Sequence, residues 1–478
     1  MNSWIHVLSL DLAVVAIAAA VMLVDALLSL RGKSLGWLVV AALTGVLAAS
    51  FFVDVVGVTP HGAYVSDAWV LFFKRVFLVA AILGILGSID WLEQRASRRQ
   101  AEYYALVLFS LVGMMLLPGA RDWVLLVVAF ELMGVPLYVL AGYAKNDGEP
   151  DSPKLAAEAA LKLFVTGAAS STFTFFGLAL LVGLSGSTMI GQGVQPSPLA
   201  SVGLLMIIAG FGFKLGAVPF HFWVPDTYQG APTPFVSFLS VAPKAGGLAA
   251  LCVILMSTGW IGSHELWGPA IVLLSVASMA VGNLFALPQT DSRRLLGFSG
   301  IAQIGYVLIA LAAATEQGLA MALFFIAAYV FTNLGLFLVV HAAAENMGGH
   351  GIAQMSGLSR RSPWLGGALL VFLLSLAGIP FVIGFWAKLF VFLEAYRAGL
   401  IVPVLIGIVL AVVGLFYYLS VARSTFMAEG TSDARIHSGL ALRAAIGICL
   451  AAVVLFGLWP DPLVEGANAA ARAFMAGR

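Results

Sequence analysis

The chain has 478 residues, of which 61% are hydrophobic and only 10% charged, with 24 Lys and Arg against 23 Asp and Glu. Soluble domains are about 45–50% apolar and ~25% charged, so this composition excludes a water-soluble globular protein and makes the bilayer the solvent. A net charge of +1 without a basic tail excludes nucleic acid as a partner, and Cys252 and Cys449, isolated in apolar runs, support neither a disulfide framework nor a metal site.

A membrane-crossing helix takes about 20 mainly apolar residues. Fourteen such runs follow one another, at roughly 5–30, 35–56, 68–88, 103–119, 122–143, 156–184, 201–223, 233–257, 267–288, 294–315, 317–343, 364–395, 399–425 and 441–460. The first run lacks a basic flank and exceeds a signal-peptide core, so it reads as a retained helix. The longest breaks, near 144–155, 185–200, 344–363 and 426–440, have room only for loops or short surface helices.

Short cytoplasmic loops collect Lys and Arg. Loops after odd-numbered helices, with their flanking helix ends, hold fourteen cations, among them Arg31, Lys33, Arg95, Lys145, Arg293, Arg294 and Arg435; loops after even-numbered helices and the C-terminal tail hold only Arg121, Arg397, Arg472 and Arg478. The asymmetry predicts both termini on the non-cytoplasmic side.

Six cations remain within the spans: Lys74, Arg75, Lys162, Lys214, Lys244 and Lys388; the most central acid is Glu131. Each charge at mid-bilayer costs about 2.5–3.5 kcal/mol on the insertion scale, so five central ones cost on the order of 15 kcal/mol. Lys74 and Arg75, in the outer third of the third helix, are expected to snorkel to the interface, and Asp11, Asp25, Asp54 and Asp67 to be solvated there. Glu131 lies five residues before Pro136, which removes a backbone hydrogen bond and loosens the helix beside the acid. It reads as a proton-exchanging carboxyl, for which Lys162, one turn or more inside the sixth helix, is a candidate ion-pair partner. Burial favours the neutral form of a lysine and an approaching carboxylate the charged form, so moving a carboxylate relative to a lysine loads or releases a proton.

Lys214 and Lys388 occupy the two most informative segments. One is Gly212-Phe213-Lys214-Leu215-Gly216-Ala217-Val218-Pro219-Phe220-His221; the other is Ala377-Gly378-Ile379-Pro380-Phe381, followed by Gly384-Phe385-Trp386-Ala387-Lys388. Gly and Pro beside a mid-membrane lysine predict a helix broken inside the membrane, and two breaks in corresponding positions point to inverted repeats with ion sites at the discontinuities. The expected fold is an all-α polytopic membrane protein of about fourteen transmembrane helices with two inverted five-helix repeats, helices 4–8 and 9–13, broken at helices 7 and 12. The segments are 1–100 (three N-terminal helices), 101–257 and 258–425 (the two repeats, each a half-channel), and 426–478 (a loop, the last helix and a short tail). Lys244, after Pro243, faces the interior, and His221 is a candidate proton relay. Neither a phosphate-binding loop nor a dinucleotide fingerprint nor a nucleophile elbow is present, so nucleotide-driven or hydrolytic chemistry has no support.

The run from Phe213 to Pro234, continued by Phe238-Leu239-Ser240-Val241-Ala242-Pro243-Lys244, together with Asp291-Ser292-Arg293-Arg294-Leu295-Leu296, Ser299-Gly300-Ile301-Ala302-Gln303-Ile304-Gly305-Tyr306 and Leu376-Ala377-Gly378-Ile379-Pro380, resembles the antiporter-like membrane subunits of respiratory complex I, the NADH-quinone oxidoreductases. The likeness covers nearly the whole chain and is densest over 100–425. Among sister types it is nearest the N-type: Lys388 stands where the M-type carries Glu, and the ending some eighteen residues after the last span differs from the long lateral helix of the L-type.

The resemblance implies proton translocation. It matches Glu131 to the fifth-helix glutamate, Lys214 to its seventh-helix partner, Lys244 to the connecting lysine and Lys388 to the exit half-channel, with Lys162 and His221 as lesser candidates. Gln303 replaces a His often found in that motif, which puts a relay role there in doubt. The resemblance further implies a multi-pass protein of the bacterial inner membrane. Expected neighbours are an M-type subunit and small K-, J- and A-type subunits in the lipid bilayer; NAD(H), FMN, iron–sulfur clusters and quinone would be held elsewhere in the complex and no cofactor by this chain. The alternative is a subunit of a multisubunit cation/proton antiporter or of a membrane-bound hydrogenase.

Overall fold

A computed structural model describes residues 3–28, 32–53, 56–144, 152–256, 263–428 and 436–477. Arg31, Asp54, Lys145, Arg435 and Arg478, used in the charge reading, lie outside the described residues. Spans α1 to α6 are Ser9–Leu28, Lys33–Ala49, Ala68–Arg95, Gln100–Leu116, Trp123–Ala141 and Ser152–Ser185. Helix α7 is split into α7a (Pro198–Leu215) and α7b (Trp223–Gly230), and α8 is kinked between α8a (Thr233–Leu239) and α8b (Ala242–Leu255). Then come α9 (His264–Ala286), α10 (Ser292–Ala312), α11 (Glu316–Met347), the split α12a (Pro363–Ala377) and α12b (Ile383–Arg397), α13 (Ile401–Met427) and α14 (Leu440–Leu458). Among the described residues twelve helices are long and apolar enough to cross a membrane; α2 and the broken α12 complete the fourteen expected.

Side-chain caps set several helix starts. Asp67 accepts from the Val70 amide, Asp122 from Val124 and Leu125, and Asp291 from Arg293 and Arg294. Ser197 and Ser362 do the same ahead of Pro198 and Pro363, whose missing N–H is no loss in a first turn. Helices α8 and α10 are buried all round, α11 nearly so, and α1, α6, α13 and α14 form the outward-facing rim. A helix apolar on every side belongs in such a position, because one solvated face is never required of it.

Three local findings differ from the sequence reading. The expected short tail folds as a further helix, α15 (Asp461–Ala476), which buries Ala467, Ala470, Ala471 and Phe474, the Phe474 ring stacking on Trp69. The loop after α2 contains a two-stranded hairpin pairing Gly57 with Ser66 and Val58 with Val65. Most consequentially, Lys74 does not snorkel and Asp11 is not solvated: both are buried, and the Lys74 ammonium meets the Asp11 carboxylate at 2.5 Å, above the Tyr64 ring. Of the two adjacent cations on α3, Arg75 alone stays partly exposed, donating to the Ser50 carbonyl at 2.7 Å and lying over Phe51. Lys74 stays inside because α1 carries an acid at the matching depth, which the sequence of α3 alone does not disclose.

Breaking a buried ion pair by removing one partner costs about 3–5 kcal/mol, whereas replacing both by apolar groups is close to neutral. Lys74→Met should therefore lower the thermal stability of the detergent-solubilised protein, and the double variant Asp11→Leu/Lys74→Met should recover most of the loss. Equal melting of the Lys74 variant and the parent would contradict the pairing.

Candidate functional site

Glu131 is half-buried on α5 and accepts a hydrogen bond from the Ser171 hydroxyl of α6 at 2.5 Å. Lys214, in the last turn of α7a, is buried, donates to the Tyr138 hydroxyl at 3.2 Å and lies 4.5 Å from the centre of the Phe130 ring. Both aromatic rings belong to α5, the helix of Glu131. The ammonium reaches them because residue 134 is glycine: a Cβ there would stand 2.7 Å from the Lys214 nitrogen. Glu131 is held by Ser171 and Lys214 by Tyr138, and among the described residues no ion pair joins the two.

The α7 break follows directly. Gly216 takes a left-handed conformation (φ 68°) and closes α7a, a cis peptide joins Val218 to Pro219, and the freed Phe213 carbonyl accepts from the Trp223 indole at 3.0 Å. Lys244, on the first turn of α8b, is fully buried and donates to the Gly300 carbonyl of α10 at 3.3 Å, near the Tyr228 ring.

At the second break Gly378 (φ 84°) closes α12a. Lys388, one turn into α12b, folds back so that its ammonium donates to the Leu376 carbonyl at 2.6 Å and the Ala377 carbonyl at 3.2 Å. These carbonyls form the negative end of α12a, where a cation is favoured. Among the described residues no carboxylate pairs with Lys214, Lys244 or Lys388, so no ion pair locks any of them in its charged form.

Polar side chains of α10 and α13 lie between the last two lysines. Gln303, one turn beyond Gly300, donates to the Leu376 carbonyl that Lys388 also uses and to the Tyr418 hydroxyl, both at 3.1 Å; Tyr418 in turn meets Ser299 at 2.6 Å. A narrow cavity beside them, lined by Gln303, Tyr329, Thr332, Ser375 and Lys388, has room for about one water molecule. The sequence reading missed Tyr138, Ser171 and Tyr418. Each is a hydroxyl within an apolar helix, and the only signal was its depth. Gln303, doubted as a relay, shares the Leu376 carbonyl with Lys388 and lies one turn from Gly300, whose carbonyl takes Lys244.

Two expectations need correction. Lys162 does not pair with Glu131: its ammonium is bound by Asp226 at 2.5 Å and Glu158 at 2.6 Å, and Asp226 also takes Arg294 at 2.5 Å. This half-exposed cluster ties α6, α7b and α10 together away from the lysine file, because Asp226 on α7b outcompetes a more distant acid. His221 lies in the linker of the α7 break, stacked on Phe222, and no hydrogen bond among the described residues connects it to the four central groups.

Buried titratable groups strung between two broken helices define a helical membrane protein of the antiporter type. A family model described as NADH:quinone oxidoreductase/Mrp antiporter, transmembrane, matches residues 120–414, and the chain belongs to that family. Subunit N of the NADH-quinone oxidoreductase of Heliobacterium modesticaldum is 36% identical over 444 residues, covering 92% of this chain and 93% of that one. A chain in the structure of respiratory complex I from Thermus thermophilus with bound aureothin superposes with a TM-score of 0.81 at 30% identity, covering 96% of this chain and 99% of that one. A chain of the Mrp complex from Dietzia sp. DQ12-45-1b has the same fold, with a TM-score of 0.86 at 22% identity over 98% of this chain and 97% of that one.

Gln303→Leu removes the hydrogen bonds to the Leu376 carbonyl and the Tyr418 hydroxyl, each worth about 0.5–1.5 kcal/mol, while Lys388 and Ser299 still partner those two groups. We expect it to slow proton translocation in the assembled complex while Gln303→His, which keeps a ring donor, retains most of it. Parental pumping by Gln303→Leu would remove this residue from the path.

Proposed function

We propose that this chain is a proton-translocating membrane-arm subunit of an NADH-quinone oxidoreductase. Its proton path runs from Glu131 through Lys214 and Lys244 to Lys388. The observation that carries the reading is the set of three buried lysines held by neutral partners at and between two helix breaks. A carboxylate at Glu131 that swings toward Lys214 favours its ammonium, and withdrawal releases the proton toward Lys244. Lys388, on carbonyls at the second break, passes it to the exit side. Residues 101–257 and 258–425 then act as two half-channels of opposite topology, each built round one break. Lys162 and His221 take supporting roles at the mouth and linker of the first.

The energy would come from quinone reduction in other subunits, and NAD(H), FMN, iron–sulfur clusters and quinone are assigned to those subunits. The one-sided Lys and Arg count supports an inner-membrane orientation with both termini outside the cytoplasm. The flanking partners in this reading are an M-type subunit on one side and small K-, J- and A-type subunits on the other. Identity of 36% to an N subunit over nearly the full length of both chains favours this over a cation antiporter or a hydrogenase.

In the assembled complex, Glu131→Gln and Lys214→Ala should each lower the proton-to-electron ratio and the quinone-reductase rate; unchanged values would defeat the reading. Lys388→Ala should impair pumping with the complex still assembled, and loss of assembly would assign it a structural role instead.

A further inference from the structure

Beyond the lysine file, α8a and α11 turn polar faces toward each other. Thr233, Ser237 and Ser240 lie on one side of α8a and its C-terminal cap, and Tyr329, Asn333, Phe337 and His341 recur every fourth residue along α11; all are buried. The two faces are bonded: Asn333 donates its amide to the Ser240 hydroxyl at 2.8 Å, Ser240 donates to the Ser237 carbonyl at 3.0 Å, and Thr233 meets the His350 ring at 3.1 Å.

Three buried polar atoms on this route have no hydrogen-bond partner among the described residues: the Asn333 side-chain oxygen and the hydroxyls of Tyr228 and Tyr329. Buried polar groups are normally satisfied, by protein or by water, so such a row marks a place for water. The row ends at Lys244. A Cβ on Gly300 would stand 2.9 Å from the Tyr329 hydroxyl and 3.2 Å from the Lys244 nitrogen, so both atoms face the same small space.

At the other end the row reaches a polar cavity of about 220 Å³ between α3, α11 and the start of α14, lined by Asp90, His341, Glu345, Asn346 and His437. Lys33 and Arg95 pair with Asp90 and Glu345 here, on the side that carries the basic loops. His350, in the loop beyond α11, is pushed down to about 2 by burial and by the charges of Arg293, His341 and Arg95, so it stays a neutral hydrogen-bond partner at any working pH. Phe337 is the one apolar member of the α11 row, between His341 and Asn333, with its ring edge on Tyr228 at 5.6 Å.

We propose that this file is a proton inlet, in which water admitted through the Asp90–His341–Glu345 cavity and past a movable Phe337 ring reaches Asn333 and Tyr329 and protonates Lys244. The proton passes from a hydronium to the neutral Lys244 amine, giving ammonium and water. The inlet rests on the reading of Lys244 as a proton carrier, and it provides a second entry that does not pass through Glu131.

The test uses the assembled complex in membrane vesicles. In His341→Cys and Asn333→Cys variants, methanethiosulfonate ethylammonium applied from the side of the α9–α10 loop should label both positions, the outer faster. Val330→Cys, off the polar row, should stay unlabelled, and the native Cys252 and Cys449 are buried. Phe337→Ala should speed labelling at 333 several-fold. Asn333→Leu should lower the proton-to-electron ratio at least twofold, with Asn333→Gln retaining most of it; if Asn333→Leu fails to assemble, Ser240→Ala takes its place. No labelling at 333, or a parental ratio in the Leu variant, overturns the inlet. If Glu131→Gln is impaired while Asn333→Leu is not, the inlet alone is wrong; if neither is impaired, the pumping function falls with it.

Discussion

Everything distinctive about this structure follows from placing ammonium groups in hydrocarbon. At about 2.5–3.5 kcal/mol each on the insertion scale, a central lysine persists only where the fold supplies acceptors at its depth. The molecule does so in two ways. Lys74 has a dedicated carboxylate in Asp11 and is a fixed ion pair. Lys214, Lys244 and Lys388 have a phenol, a lone backbone carbonyl and a helix C-terminus, each able to serve an amine or an ammonium. That contrast sets Lys74 apart from the other three more sharply than burial does, since all four are buried.

The two helix breaks are not equivalent. In α12 the carbonyls released by Gly378 are taken by Lys388 itself, with Gln303 sharing one and the Ser375 hydroxyl receiving the Gly384 amide. In α7 the released Phe213 carbonyl is taken by Trp223, and Lys214 turns away toward Tyr138 and the helix of Glu131. The first break therefore leaves its lysine on the aromatic rings of the helix that carries Glu131, while the second fastens its lysine to the backbone. A directional path needs such an inequality, with exchange at one end and a stable waiting position at the other.

Much of this was legible in the sequence. Glycine and proline beside Lys214 and Lys388 located both breaks, because those residues cannot continue a helix there. The composition and the spacing of apolar runs yielded the fourteen spans. What escaped was pairing between distant segments. Nothing in the α3 run indicates that Lys74 meets Asp11 sixty-three residues earlier. Similarly, Lys162 was matched to the nearest central acid when Asp226, beyond the break, takes it. The tail was read only as a short tail for a different reason: α15 is amphipathic and not apolar throughout, so a search for spanning runs passes over it. Hydroxyls such as Tyr418 and Tyr329 carry no sequence signal apart from depth, and only the packing of α10, α11 and α13 brings them beside the lysines.

The central claim is that the buried lysines are carriers and not supports. The most direct measurement is the proton-to-electron ratio of the complex reconstituted in liposomes with Lys244→Met, a change that keeps length and apolar bulk where α8 meets α10 of the second half. The account predicts a complex that assembles and reduces quinone more slowly, with one proton fewer translocated per cycle. An assembled Lys244→Met complex with the full parental ratio would contradict it.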